Sequence, residues 1–287
     1  LANVAIGYNA MKSTSATNQN ASYNTAVGYV ALESITDSDY NTAIGQAAGQ
    51  NIEGGSGQNV FIGNSAGNSS VTSANNVMIG VSAGLAATDV DKTVLIGWNA
   101  GRNTTSDGTI AIGYQAMKVH TTGARNMAIG YNAMDDTDAG STSLGSNDNI
   151  FIGYDAGGGT WTDADSNRNV TLGNYTMDAA TAGALDNVAV GHYALSSVTS
   201  GDYNTALGSN AGLALTTGAR NVVIGYLAGD TMTATENTVL IGAQAGQSID
   251  SADANYTVAV GYKVLEDLTS GIQNTGLGSL ALRDVTT

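Results

Sequence analysis

The sequence predicts an all-β protein, a parallel β-solenoid of about sixteen coils with a period near 17 residues. Three observations predict it. A nine-residue frame, typified by Asn221 to Gly229, recurs sixteen times, centred on Gly7, Gly28, Gly45, Gly63, Gly80, Gly97, Gly113, Gly130, Gly153, Gly173, Gly191, Gly208, Gly225, Gly242, Gly261 and Gly278. Eight of the fifteen spacings are 17 residues and the others run from 16 to 23. The positions around each glycine also keep their chemistry from copy to copy. A short fixed period over a whole chain is the signature of coils that stack only on their neighbours.

The frame can be followed in order. Four residues before the glycine, twelve of sixteen positions are Asn and the others are Thr93, Thr109, Thr238 and Thr257. Asn accepts left-handed backbone and bonds nearby backbone groups, so it suits the corner entering a strand, and stacking should align these amides in a ladder. Three residues before the glycine, fifteen of sixteen are β-branched, and one residue before it all sixteen are Ile, Val or Leu. These residues favour extended backbone, and positions two apart share one strand face. That face is expected to be the inside of the coil.

The intervening column is then expected to point outward. It holds Ala5, Ala26, Ala43, Phe61, Met78, Leu95, Ala111, Ala128, Phe151, Ala189, Ala206, Val223, Leu240 and Ala259, completed by Thr171 and Gly276. An uncharged apolar row on the outside of a rod marks a partner surface. The fourteen apolar members are therefore the expected interface of a homotrimer, since closed symmetry hides identical stripes. The glycine itself is expected at a second corner, where positive φ or close backbone approach excludes a side chain. Three residues after it, fourteen of sixteen are Ala; the next position is Gly in eight copies and Met or Leu in eight, two ways of packing one corner. Between frames run linkers of typically eight residues, with Thr-Thr-Gly or Thr-Ser-Gly turns preceded by one apolar residue expected to tuck into the core. Of 33 charged residues, only Asp155 and Lys263 lie inside a frame, so the linkers are the wet surface.

Composition narrows the function. With no cysteine there are no disulfides, thiolate metal sites or Cys nucleophiles. A net charge of −15 with nine Lys plus Arg argues against nucleic acid as partner. No apolar run is long enough to span a bilayer as a helix, so no membrane insertion is expected. The glycine spacing matches no phosphate-binding or dinucleotide motif, and His120 and His192 form no triad or metal motif. No cofactor, metal or catalytic residue is expected. The repeats cover 1–287 without a break, which reads as one continuous solenoid region from a longer fibre protein.

The N-[TV]-A-[IV]-G-Y-x-A frame with its T-S-G-x-x-N linker resembles the head repeats of trimeric autotransporter adhesins and the repeats of trimeric phage and viral tail fibres. The resemblance spans the chain and implies a left-handed β-roll with three chains around one axis. Its period is longer than that of the adhesin heads, which favours a virion tail fibre with a host-attachment role over a bacterial surface adhesin. A fibre-borne polysaccharide depolymerase is a further alternative, but the acids are scattered over the linkers rather than paired.

Two features are candidates for binding a host glycan or protein receptor. The position after the glycine is aromatic in four successive coils, at Trp98, Tyr114, Tyr131 and Tyr154. An aromatic ladder could stack on sugars; the plainer expectation is cross-strand packing. Two long linkers run from Asp135 to Asp148, with Asp135, Asp136 and Asp138, and from Gly158 to Arg168, with Trp161, Asp163 and Asp165. Insertions in solenoids map to surface loops, which often bind, although a tolerated solvated bulge is the simpler expectation. Carboxylates suit Ca²⁺, but no calcium-loop motif is present.

Overall fold

The computed structural model describes residues 2–13, 20–137, 145–162, 164–179, 181–250 and 254–286. It divides into two compact units, Leu1–Asp136 and Thr137–Thr287. Each unit is a parallel β-solenoid with one three-residue strand per repeat, and no α-helix occurs among the described residues.

The first unit contains β1 (Val4–Ile6), β2 (Thr25–Val27), β3 (Thr42–Ile44), β4 (Val60–Ile62), β5 (Val77–Ile79), β6 (Val94–Ile96), β7 (Ile110–Ile112) and β8 (Met127–Ile129). The second contains β9 (Ile150–Ile152), β10 (Val170–Leu172), β11 (Val188–Val190), β12 (Thr205–Leu207), β13 (Val222–Ile224), β14 (Val239–Ile241), β15 (Val258–Val260) and β16 (Thr275–Leu277). Within each unit every strand pairs in parallel with the next, and frame position faces the same frame position, as in Ala26↔Ala43 and Ala206↔Val223. Varying linker length therefore leaves the register untouched.

Coil-to-coil hydrogen bonds continue around the turns. Val30 N donates to Tyr8 O at 2.9 Å, Leu32 N to Ala48 O at 3.0 Å and Thr36 N to Glu53 O at 2.8 Å. This is why such short strands suffice: most of the circumference acts as ladder, which satisfies backbone groups that would otherwise be stranded.

The glycine corner is as expected. Gly208 has φ +138°, and a Cβ there would lie 2.6 Å from the Gly225 carbonyl oxygen of the next coil. No side chain fits that approach. The Asn column also forms the expected ladder, and it is buried. In the second unit Asn187 Nδ2 donates to Asn169 Oδ1 at 3.1 Å, Asn204 Nδ2 to Asn187 Oδ1 at 3.1 Å and Asn221 Nδ2 to Asn204 Oδ1 at 3.0 Å. Each Oδ1 also accepts from the backbone N–H of the next Asn, and each Nδ2 also reaches a turn carbonyl, as Asn187 does to Gly201 O at 2.8 Å. Where Thr93 replaces Asn, its N–H and hydroxyl both donate to Asn76 Oδ1, so the ladder ends there without an orphaned acceptor.

The facing of the strands is the reverse of the expectation. Ala26, Ala43, Phe61, Met78, Leu95, Ala111, Ala128, Phe151, Ala189, Ala206, Val223, Leu240 and Ala259 are 0% exposed within the single chain. They fill the coil interior and offer no surface to another chain; only Ala5, in the first coil, is exposed. The two columns flanking them point outward and are half-buried or exposed. The physical reason is room. Four columns converge on a narrow interior: the middle strand residue, the Ala three after the glycine, the residue after that Ala, and the linker plug. Two ranks of Val and Ile would not fit.

The volume is shared reciprocally. Met or Leu four after the glycine, as Met117, Met134, Leu195 and Leu265, adopts left-handed backbone (φ 50–52°) and is buried. In all eight such coils the middle strand residue is Ala, Thr or Gly. Where the corner is Gly instead, a large strand residue occupies its place in six of eight coils. A Cβ on Gly84 would meet Met78 Sδ at 2.5 Å, and one on Gly157 would meet the Phe151 ring at 2.6 Å. In the two coils where both are small, neighbours fill the gap: Leu32 and Phe61 close on Gly49, and Leu195 closes on Gly212. The linker residue completes the core, as Ile35, Ile52, Val198, Leu215, Met232 and Leu268, all buried.

Candidate functional site

The outward strand face is a long, uniformly apolar surface. In the first unit it pairs Val4 with Ile6, Thr25 with Val27 and so on to Met127 with Ile129; in the second it runs from Ile150 with Ile152 to Thr275 with Leu277. Each unit thus presents sixteen outward side chains, two of them Thr, the rest Val, Ile, Leu or Met, and none charged. Eight rungs about 4.8 Å apart and three residues wide make roughly 38 by 10 Å, about 400 Å² per unit. Sequence reasoning missed this face. The signal that would have found it is the reciprocity just described, since only residues sharing one interior need to trade volume.

Aromatic rows border this face at the glycine edge. Trp98, Tyr114 and Tyr131 are 41–43% exposed. Their rings stack, Trp98 on Tyr114 at 4.8 Å and 16°, Tyr114 on Tyr131 at 4.7 Å and 10°. Stacking turns ring faces toward one another and leaves mainly edges to solvent, whereas a sugar needs a face. The row is therefore built to stiffen the rungs. Tyr154, 41% exposed, meets Tyr175 edge-on at 5.3 Å, and Tyr175 stacks on Tyr193 at 4.8 Å. Tyr23 and Tyr40 form another stack at the opposite strand corner, at 5.0 Å and 4°.

Trp161 does not belong with the surface aromatics. It is 0% exposed and packs edge-on against Phe151 at 5.5 Å. The longer linker uses an indole where shorter linkers use one aliphatic plug, so Trp161 is a core residue and no receptor contact. Its neighbour Asp165 accepts the Gly145 N–H at 2.9 Å, tying adjacent coils together. Asp138 and Asp163 lie outside the described residues. Among the described residues no group of three or more His, Cys, Asp or Glu is placed to hold a metal ion, and no helix is long and apolar enough to cross a membrane.

His120 occupies the linker-plug position and is buried, its Nε2 3.0 Å from both Gly123 O and Asn126 Nδ2. His192 is exposed and edge-on to Tyr193 at 4.2 Å. Burial pushes the carboxyl of Asp178 above its ordinary range, opposed by a hydrogen bond from Ser196 Oγ, and does the same to Asp230 against a bond from Gln247. The Arg168 guanidinium beside Asp186 holds that carboxyl low, as Lys263 does for Glu266.

No protein-family model matches the chain, and no curated protein matches it significantly.

Proposed function

We propose that the chain is a structural, non-enzymatic segment of a homotrimeric fibre, wound left-handed, carried on the surface of a virion as part of a tail fibre and serving attachment to a host. The observation that carries this reading is the outward strand face. It is uncharged at every rung, and a stripe of a few hundred Å² on each unit is the size at which apolar surface marks a contact. The stripe stays uncharged at every rung along the coil direction, so a second and third copy in the same register match it rung for rung. A closed ring of three hides every stripe, whereas an open arrangement leaves one exposed. The aromatic rows at its edge suit the rim of such a contact, where one end of each ring stays wet. The likeness of the repeat frame to tail-fibre and adhesin-head repeats points the same way; the same architecture on a bacterial surface is the neighbouring reading.

The test is the solution mass of the parent and of an Ile96→Lys/Ile112→Lys variant, by light scattering. Both side chains point outward, so lysine leaves the coil interior intact but buries like charges between copies. The parent should run near three times 28.8 kDa and the variant near 28.8 kDa with unchanged β-type circular dichroism. A monomeric parent, or a folded variant that stays trimeric, overturns the proposal.

A further inference from the structure

The apolar strand face has two different edges. Five residues before the glycine, one edge carries six charged side chains: Lys92, Arg125, Asp148, Arg168, Asp186 and Arg220. The residue after the glycine forms the other edge, and none of its sixteen members is Asp, Glu, Lys or Arg. In a closed ring of copies turned face inward, the first edge of one copy lies against the second edge of the next. Rotation keeps every coil level with its own copies. Each coil therefore sets its residue five before the glycine against its own residue one after, across a seam.

The open rings on the second edge coincide with cations on the first. Tyr226 is 57% exposed, and its neighbours in the column are the small Ser209 and Ala243, which leave both ring faces open; its coil carries Arg220. Trp98 ends its stack, with Tyr114 on one face and Val81 where a ring would cover the other; its coil carries Lys92. Tyr114, sandwiched between Trp98 and Tyr131, has no face to offer, and its coil carries Gly108.

We propose that Arg220 of one copy stacks on Tyr226 of the next, and Lys92 on Trp98, so that cation–π contacts close the three seams of the trimer. The Arg220 guanidinium is already bonded at its edge, Nε to Asn237 Oδ1 at 2.9 Å and Nη2 to Glu236 Oε2 at 2.6 Å. Those in-plane bonds orient the group and leave its faces for stacking. Lys92 is exposed and has no ion pair among the described residues. Arg168, which grips Asp186 through two nitrogens, shares its coil with Asn174 in place of a ring. His192 is the one basic side chain of the second edge and shares its coil with Asp186, so no seam opposes like charges. The proposal rests on the trimer reading and adds what joins the copies.

Cross-linking tests it in a chain that has no cysteine of its own. Arg220→Cys and Tyr226→Cys, made singly and together, would be treated with bismaleimidoethane and run on a denaturing gel. A chain with one cysteine links at most in pairs, so a covalent three-chain species needs both positions. The double variant should give that species, and neither single variant should give a two-chain one. Lys92→Cys/Trp98→Cys should behave alike, whereas Arg220→Cys/Tyr262→Cys, two coils out of level, should not link. Light scattering before linkage separates the two readings. A monomer overturns the trimer and the seam together. A trimer that yields no three-chain species, or links equally in Arg220→Cys/Tyr262→Cys, overturns the seam alone. For the contact itself, Arg220→Gln and Tyr226→Leu should each raise the trimer's dissociation constant about tenfold or more, at roughly two- to fivefold for each of three seams. Together they should raise it by less than the product of the two, and a full product overturns the contact.

Discussion

The reciprocal filling of the core makes a quantitative prediction at Leu95 and Gly101. Leu95 is fully buried, and a Cβ on Gly101 would lie 3.0 Å from Leu95 Cδ1 and closer still to Cδ2. The next coil solves the same problem the other way, with Ala111 on the strand and Met117 at the corner, Met117 at φ 52°. Leu95→Ala alone should cost about 2–5 kcal/mol, the transfer term plus a cavity. Gly101→Leu alone should cost about 1–3 kcal/mol from overpacking, and about 1–2 kcal/mol more because φ +52° suits glycine better than leucine. The double variant rebuilds the arrangement of the neighbouring coil and should retain only the backbone cost. Its destabilisation should then fall below the sum of the singles by at least about 2 kcal/mol, large for a contacting pair. Urea unfolding of the four proteins, followed by circular dichroism, gives the coupling. Additive costs would refute the shared interior, and a neutral Leu95→Ala would put that side chain outside the coil.

Three further outcomes follow from the same interior. Asn187→Ala removes the acceptor of the Asn204 N–H and amide together with the donor to Gly201 O, all buried, and should cost about 2–4 kcal/mol in the same unfolding assay. Thr171 Oγ1 is buried without a hydrogen-bond partner, so Thr171→Val should stabilise by about 1 kcal/mol, whereas an outward threonine would give no gain. Burial raises the folded-state carboxyl of Asp178 above its ordinary 3.8, so the folded chain binds the extra proton and stability falls as pH rises from that value through the raised one. Measured against Asp178→Asn, the parent should therefore be relatively more stable at pH 4 than at pH 7; the opposite slope would contradict the burial.

Much of the fold could be read in the residues. The period, the Asn ladder, the glycine corner and the linker plug each rest on a residue type that only one geometry explains. Facing could not be read from alternation, because both strand faces are apolar and a shift of one residue exchanges them. Size misled: Val and Ile look like core, and Ala looks like a surface for close approach. The narrow coil inverts that, since Ala128 fits inside beside Met134 while Ile129 does not. The trade between Phe151 and Gly157, or Ala111 and Met117, was present in the sequence and would have settled the matter. Trp161 misled for the related reason that a long linker reads as surface, whereas its indole is buried and packs edge-on against Phe151.

The covering of the outward face by two further copies is tested most directly with a single spin label. The chain has no cysteine, so Trp98→Cys creates one labelling site, at the exposed glycine edge of that face and away from the interior. Pulsed dipolar spectroscopy of the labelled protein should show a modulation depth for three coupled spins with one dominant distance, collapsing to a single uncoupled spin when Ile96→Lys/Ile112→Lys is added. An uncoupled spin in the parent would mean that the apolar face stands bare in solution, and the fibre account would be contradicted.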